Sequence, residues 1–521
     1  MEAPSSVFDE SRVVRVAGER TRLSGSGRIE SAARREAASV TVAAVGSTGV
    51  PAVEPLVLAT VEGRTAFHPR CSLDRAREVV AAVEASDLPD GPHVVASDPG
   101  TARFPRPGSG PLSVGTRHAL AGAGWLRPAS VGDYAALAGG VRSESAGDGV
   151  VETVADAGLL GRGRGDLATA DPVADSWQAV RAADGDPVVV VNANEADEGA
   201  RMDQLLLESC PLAVLDPALA LAGAVGATDV VVYVNESDGL AYDRTEHAAD
   251  ALRDRVEPGD DDPDLAVVAG PDEYTAGEET MALESLEGND RIEARRRPPG
   301  PETHGLHGRP TLVHTPRTLA QVGALHWWGP EDPPGVPADP GTRLFTVTGD
   351  VATPATVELP TDAELSTALA AVDLDRSMKA ACVGGRFGGV TGSLGVPASA
   401  SGLSSARLGT GGVVEVLDGD RCLVALAGKR AKLAREDNCG RCVPCREGSK
   451  QLTELLRDVY AGDYEGDRIR ELGRVMTRTS VCAFGRSAPR PVLTAMDEFE
   501  EEFAAHANGR CPTGTCRRKG S

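Results

Sequence analysis

Apolar residues along the chain recur with different periods in different stretches. Between residues 41 and 115, short β-branched runs ("SVTVAAVG", "PLVLATVEG", "PHVVAS") surround one stretch of helical period, "SLDRAREVVAAVEA". There Ala76, Val79, Val80 and Val83 recur at the spacing of one helix face. This predicts a small α/β domain, preceded by a polar, arginine-rich arm over residues 1–40 and closed by the Pro/Gly-rich "FPRPGSGPLSVG". From about residue 150 the runs become uninterrupted: "PVVVV" (187–191), the helix candidate "PALALAGAVGA", "DVVVYV" (229–234), a polar helix around 243–255 and "LAVVAG" (265–270). Apolar strands without alternation, separated by helices, predict a parallel sheet covered on both faces. Ligands of such sheets sit outside the carboxyl ends of the strands, where "NANEADEG" and "GPDEYTAGEET" fall.

A proline-rich break, "GPEDPPGVPADPG" (329–341), precedes "TRLFTVTGDVATPATVELP", a hairpin pattern, and "DAELSTALAAV", a short helix pattern; together they predict a compact β-grasp-like module. The last hundred residues carry three helical stripes: Leu452, Leu455, Leu456 and Val459; Ile469, Leu472, Val475 and Met476; Val492, Met496, Phe499 and Phe503. The predicted division is 1–40, 41–115, 116–335, 336–410 and 411–521.

Charge narrows the function. Fifty-three basic against 77 acidic residues leave a formal net charge of -24. That argues against nucleic acid, which needs a basic footprint, and against docking on anionic lipid. The basic residues are almost all arginine. An acid-rich, lysine-poor composition fits work in high salt, or an acidic protein of a GC-rich genome. No run of 18 apolar residues occurs, so no membrane insertion is expected. "MEAPSSVFDESRVVR" lacks the apolar core of a signal peptide, and the expected location is the cytoplasm. Clustered cysteines in a reducing compartment indicate metal or redox chemistry before disulfides.

"DNCGRCVPCREGSK" (437–450) places Cys439, Cys442 and Cys445 in a C-x2-C-x2-C run. Two helices of about 20 Å each lead out from Cys445 and back to Cys482 in "TSVCAFG". Four converging thiolates suit a 4Fe–4S cube, whose irons each take one ligand. A zinc ion, which usually takes two separated C-x2-C pairs, and free thiols are the alternatives. Gly440, Gly448 and Gly485 are candidates to offer N–H groups to cluster sulfurs, and Arg446 to offset their charge. Cys511 and Cys516, in "GRCPTGTC", read as a remnant or as inert thiols; Cys210, Cys382 and Cys422 read as core thiols. His307 and His314 lack partners at ligand spacing, and "EARRRPPG" (293–300) reads as a solvated arginine run.

"EDNCGRCVPCREGSKQL" with "TSVCAFG" closely resembles the iron–sulfur region of the flavoprotein (51-kDa, F-type) subunit of NADH:quinone oxidoreductase, a module shared with NAD-linked formate dehydrogenases and hydrogenases. Upstream, "GLLGRGRG", "VNANEADEG", "AGEETMALESLEG", "GLHGRPTLVHTPRTLAQV" and "GTRLFTVTGDVATPATVELP" resemble its flavin loop, its Asn-Ala-Asp-Glu motif, its Gly-Glu-Glu-Thr stretch, its flavin-approaching segment and its β-grasp (SLBB-like) insert. The resemblance implies a Rossmann-like flavin domain, the β-grasp module and a helical iron–sulfur domain. Residues 41–115 resemble, more weakly, a decayed thioredoxin-like domain. It further implies FMN near Gly161, Arg162, Gly163, Asn192, Asn194, Glu195, Tyr274, Gly277 and Thr318, with Glu278 and Glu279 both binding and catalytic toward NADH. Single electrons would pass from FMN to a cluster on Cys439, Cys442, Cys445 and Cys482, and on to a partner: a thioredoxin-like 2Fe–2S subunit or a formate dehydrogenase-like catalytic subunit. The sequence departs from the family where Arg164 and Asp166 replace small residues, Leu167 replaces a phenylalanine, Ser176 a lysine, Asn194 an aspartate, and His314 and Thr315 paired asparagines. Those departures fall in the flavin segments. They set an alternative beside the enzyme: a non-catalytic iron–sulfur relay or assembly subunit with a decayed nucleotide pocket.

Overall fold

The computed structural model describes residues 6–18, 25–96, 102–141, 149–254, 263–328 and 333–516. Parts of the expected arm and of the proline-rich break lie outside them. What is described of the expected arm is not an arm. Arg12–Ala17 forms strand β1, and Gly25–Glu36 a helix. Val13, Val14 and Val16 are fully buried, and three valines within four residues are enough to bring the strand into a sheet. β1 lies between β2 (Thr41–Ala44), to which it is parallel, and β3 (Leu56–Val61), to which it is antiparallel. β4 (Arg64–His68) and β5 (His93–Ala96) complete the order β2-β1-β3-β4-β5. The helix Leu73–Glu84 starts on a Ser72 cap, whose hydroxyl accepts the Arg75 N–H, and buries Ala76, Val79, Val80 and Val83 as its period requires.

The second sheet is wholly parallel, in the order β8-β7-β6-β9, from β6 (Val188–Ala193), β7 (Asp229–Asn235), β8 (Asp264–Gly270) and β9 (Thr311–His314). Val188 to Val191 have no exposed surface, as strands covered on both faces must. β9 has only four residues, too short to stand out as a run. Helix Leu212–Val225 is buried nearly all round. With Met202–Ser209 it has the hydropathy of a membrane span, but the two meet at 95° and no single helix is long and apolar enough to cross a bilayer.

A two-residue ladder of β10 (Gly335–Val336) and β11 (Asp339–Pro340) leads into a mixed sheet ordered β13-β12-β16-β14-β15. Its hairpin is β12 (Thr342–Gly349) with β13 (Ala355–Pro360); β14 (Met378–Val383), β15 (Gly389–Thr391) and β16 (Val413–Asp418) complete it. β16 pairs inside this sheet, so the module runs past the expected boundary at 410. The expected short helix is a 3-10 segment, Leu365–Ala371. Its buried residues, Leu365, Ala368 and Ala371, recur every three positions, the 3-10 repeat.

Helices Leu423–Asp437, Val443–Ala461, Gly466–Thr479, Ala483–Ser487, Arg490–Glu498 and Glu500–Ala507 form the C-terminal bundle. Leu452, Leu455, Leu456 and Val459 are buried as expected. Val475 is not: it is 42 % exposed. The seam of its helix runs through Ile469, Gly473 and Met476, and a Cβ on Gly473 would meet the Leu493 side chain at 2.8 Å. Val475 therefore lies to the side of the contact line.

Candidate cofactor and iron–sulfur site

Cys439, Cys442, Cys445 and Cys482 line one small pocket with Met281, Ala294 and Phe484. Cys442 stands at the N-cap position of helix Val443–Ala461 and Cys482 at that of Ala483–Ser487. Backbone N–H groups of Gly485 and Phe484 point at the Cys482 sulfur. A Cβ on Gly485 would sit 2.8 Å from the Cys445 Cβ, so only glycine lets the two ligand-bearing turns close. Gly440 instead donates to Asn438 Oδ1 at 3.1 Å, and Gly448 lies inside a helix against Met476. Arg446 donates to the Gly440 carbonyl at 2.7 Å and pairs with Glu447 at 2.9 Å, which braces the turn between the first two ligands. Burial, then the neighbouring Cys442, Cys482 and Cys439, push the Cys445 thiol far up; burial, then Glu278, push Cys482 up to about 12. Four thiolates so close persist only around cationic metal. The donor set, the glycine cradle and the helix starts fit a 4Fe–4S cluster.

Cys439 also lines a second space, a cavity of about 850 Å³ at the carboxyl ends of the parallel strands. Glu195, Asp197, Arg201, Tyr274 and Arg386 line it as well. It lies within the range of cofactor sites, ~300–1,000 Å³. Tyr274 meets Phe387 and Phe484 edge-on, with ring centroids 5.4 and 5.7 Å away. Phe484 is a wall of the thiol pocket, so this aromatic group joins the cavity to the four cysteines. The lining carries nine carboxyl side chains and two guanidinium groups, a poor welcome for a phosphate at low ionic strength. Burial pushes the Tyr274 hydroxyl up to about 12 and the Asp238 carboxyl up to about 6.

Beneath the glycine-rich loop the free space is only about 40 Å³. The loop's own side chains take the rest. Arg164 lies over the Tyr274 ring, 3.8 Å from its centroid. Asp166 is fully buried and accepts from Ala168 N (2.9 Å), Thr315 N (3.1 Å) and the Thr318 hydroxyl (2.7 Å). His314 approaches the same carboxylate through Nδ1 at 3.1 Å, while its Nε2 accepts the Trp177 indole N–H at 2.7 Å. The indole can only donate, so Nδ1 carries the imidazole proton and donates to Asp166. Free space of cofactor size thus lies in the cavity and not under the loop.

Several expected roles change. Arg162, expected near FMN, is engaged by protein groups. It is buried, pairs with Asp339 at 3.0 Å and donates to the carbonyls of Leu160, Pro340 and Thr342, tying the loop to the β-grasp module. Burial lowers it to about 9. Gly161 and Gly163 serve internal packing, since a Cβ on either would meet Asp166 or Arg317 at 2.6 Å. Glu278 is a helix cap: one carboxylate oxygen takes the N–H groups of Thr280 and Met281 and the Thr280 hydroxyl. Glu279 pairs with Arg297 at 2.9 Å; burial, then Glu278, push it up to about 8. Neither glutamate lines the cavity or the gap. Asn192, Asn194, Glu195 and Gly277 line the gap, Glu195 and Tyr274 the cavity; Thr318 stands behind Asp166. Asn192 donates to the carbonyls of Gly165 and Gly277, and Asn194 to that of Pro271.

Sequence reasoning missed three features. His314 does have a carboxylate partner, Asp166, 148 residues away in the chain. Arg317 holds Asp203 at 2.7 Å and Glu195 at 3.3 Å, all buried. Asp197 accepts the Arg386 N–H at 2.9 Å, and Arg386 pairs with Asp437 just before the cysteine run. Glu195 and Asp197 carried a signal, since both lie within the strand-end motif; their partners Arg317 and Arg386 did not.

A family described as the Nuo51 FMN-binding domain matches residues 154–324. The NADH-ubiquinone oxidoreductase-F iron-sulfur binding region matches residues 425–506. HndC of Solidesulfovibrio fructosivorans, a component of an NADP-reducing hydrogenase, is 30% identical over 432 residues, 78% of this chain and 86% of its own length. This chain belongs to the F-type (51-kDa) family of NADH oxidoreductases. The F component of NADH-quinone oxidoreductase from Streptomyces coelicolor is 30% identical over 70% of this chain and 84% of its own length. An NAD+-reducing [NiFe]-hydrogenase structure shares the fold, with TM-score 0.63 and 24% identity over 97% of this chain and 85% of that one. The chain is therefore an oxidoreductase subunit of electron-transfer type, with an FMN-binding-type domain and a 4Fe–4S domain, and its relatives are subunits of larger enzymes.

Proposed function

We propose that this chain is the electron-input subunit of a cytoplasmic, NAD(H)-linked oxidoreductase, receiving reducing equivalents in the 850 Å³ cavity and passing single electrons through the cysteine-bound cluster to a partner subunit. One observation carries this reading: Cys439 stands in the wall of both the cavity and the thiol pocket. When bound, FMN converts a two-electron donor into one-electron steps and the cluster stores one electron at a time. Arg201 and Arg386 would meet FMN's phosphate. The Tyr274, Phe387 and Phe484 rings exclude water between the two sites. The partner is a small 2Fe–2S subunit of thioredoxin-like fold or a formate dehydrogenase-like catalytic subunit. The order of the first sheet supports a thioredoxin-like origin for that domain, whose only cysteine, Cys71, leaves it no cluster of its own.

The test is reduction of anaerobically purified chain by NADH in molar KCl, followed by the electron paramagnetic resonance of the cluster. NADH should reduce a large share of what dithionite reduces. Arg164 and Asp166, which fill the loop site, favour a second reading, a relay without a flavin. A cluster reduced by dithionite and untouched by NADH at every salt concentration, in protein free of flavin, would establish that reading and overturn the first.

A further inference from the structure

A second group of metal-ligating side chains lies apart from the four cluster cysteines. Cys422, His506, Cys511 and Cys516 bring one donor atom each to within 4.8 Å of one another. Cys422 Sγ is 3.3 Å from His506 Nε2 and 3.4 Å from Cys516 Sγ. His506 Nδ1 lies 2.7 Å from the Glu502 carbonyl. A carbonyl only accepts, so Nδ1 carries the proton and the lone pair of Nε2 faces the three sulfurs. A hydrogen bond of this kind to backbone holds metal-binding imidazoles in their tautomer. Cys422 and His506 are buried, and Cys511 and Cys516 partly so. The four come from the start of helix Leu423–Asp437, the end of helix Glu500–Ala507 and the tail beyond it.

We propose that these residues bind one structural zinc ion, in a tetrahedral Cys3His site that fastens the C-terminal tail to the bundle. Ligands on one tetrahedral ion at ~2.0–2.3 Å stand ~3–4 Å from each other; Cys422 has that spacing to His506 and to Cys516, and all four donors lie within 4.8 Å of one another. A cube would spread its ligand sulfurs over separate irons. Three thiolates with one imidazole select zinc among common cations, and binding displaces the thiol protons that remain. The 15-residue helix that begins at Cys422 ends just before Cys439, so the ion and the cluster anchor opposite ends of a strut about 22 Å long. This role is independent of whether NADH or FMN binds.

The experiment is metal analysis of the full chain, purified anaerobically without chelator and reconstituted with zinc chloride. About one zinc per chain is expected beside the iron, and X-ray absorption at the zinc edge should fit three sulfurs at ~2.3 Å and one nitrogen at ~2.0 Å. Cys516→Ser should weaken zinc binding at least tenfold against a chromophoric chelator while iron content stays level. That ligand lies in the surface tail, so the variant keeps the test meaningful where Cys422→Ser fails to fold. Protein that takes up no zinc, or a Cys511–Cys516 disulfide in anaerobic material, would overturn the proposal. So would iron that falls in step with zinc in Cys516→Ser.

Discussion

The iron–sulfur pocket and the glycine-rich loop both carry residues that resemble the family, yet the structure treats them differently. In the pocket the four cysteines meet, and the glycine between them is required by the approach of two backbones. In the loop Arg162, an expected cofactor group, binds the β-grasp module, while the two departures from the family, Asp166 and Arg164, gather four donors and cover Tyr274. The difference is between a ligand set, which tolerates no substitute at any of its positions, and a polar cradle, which can be refilled by side chains that satisfy one another.

The largest effect should come from the pocket. Cys445→Ser removes the most buried of the four candidate ligands, and iron content should fall well below about four per chain, because one iron loses its thiolate inside the pocket and the cube is destabilised. Iron retained in full would remove Cys445 from the ligand set and weaken the contrast.

Asp166→Ala attacks the loop. It strands the Ala168 and Thr315 N–H groups, the Thr318 hydroxyl and the His314 Nδ1–H without an acceptor. Loss of such a buried, multiply bonded carboxylate should cost about 3–5 kcal/mol, read as a lower urea midpoint at unchanged slope. A loss below about 1 kcal/mol would mean that Asp166 does not hold the loop together.

A smaller effect depends on pH. Burial, then Asp203, raise the Glu195 carboxyl from its ordinary 4.5 to about 8, with Arg317 opposing. The folded chain therefore holds this proton more tightly than the unfolded one. That contribution is fully present below pH 4.5 and is lost as pH rises toward 8, by up to about 1.4 kcal/mol per pH unit. Denaturant melts between pH 5 and 9 should show stability falling with pH, and Glu195→Gln should flatten the slope. A wild-type curve that rises over this range would contradict the assignment.

What could be read in advance follows the same division. The C-x2-C-x2-C run is local, and the return of Cys482 needs only two helices of known rise, so the pocket was legible. The valine runs of β6 and β7 announced a sheet buried on both faces. β1 was hidden because its three valines sit among arginines, and β9 because four residues make no pattern. The contacts of His314 with Asp166 and of Arg317 with Asp203 cross more than a hundred residues; no spacing rule reaches them. Cys422 read as a core thiol because the apolar run Leu423 to Leu426 follows it, while its partners in space arrive from the far end of the chain.

The smallest expected change in stability is also the sharpest test of the comparison. Arg164 contributes one cation–π contact with Tyr274, about 0.5–1 kcal/mol or somewhat more if desolvated. Its side chain lines the 40 Å³ gap and lies over Tyr274, a residue in the wall of the 850 Å³ cavity. Arg164→Gly should therefore leave the fold nearly as stable while joining the two spaces. If the loop has closed over a site that the family keeps open, FMN measured by fluorescence quenching should bind this variant several-fold more tightly than the parent. The gain should be largest in molar KCl, where the acidic lining is screened over a Debye length of about 3 Å. Weaker binding would assign Arg164 the opposite role, as the cation that holds FMN's phosphate, and the loop would then be a remodelled site rather than a filled one.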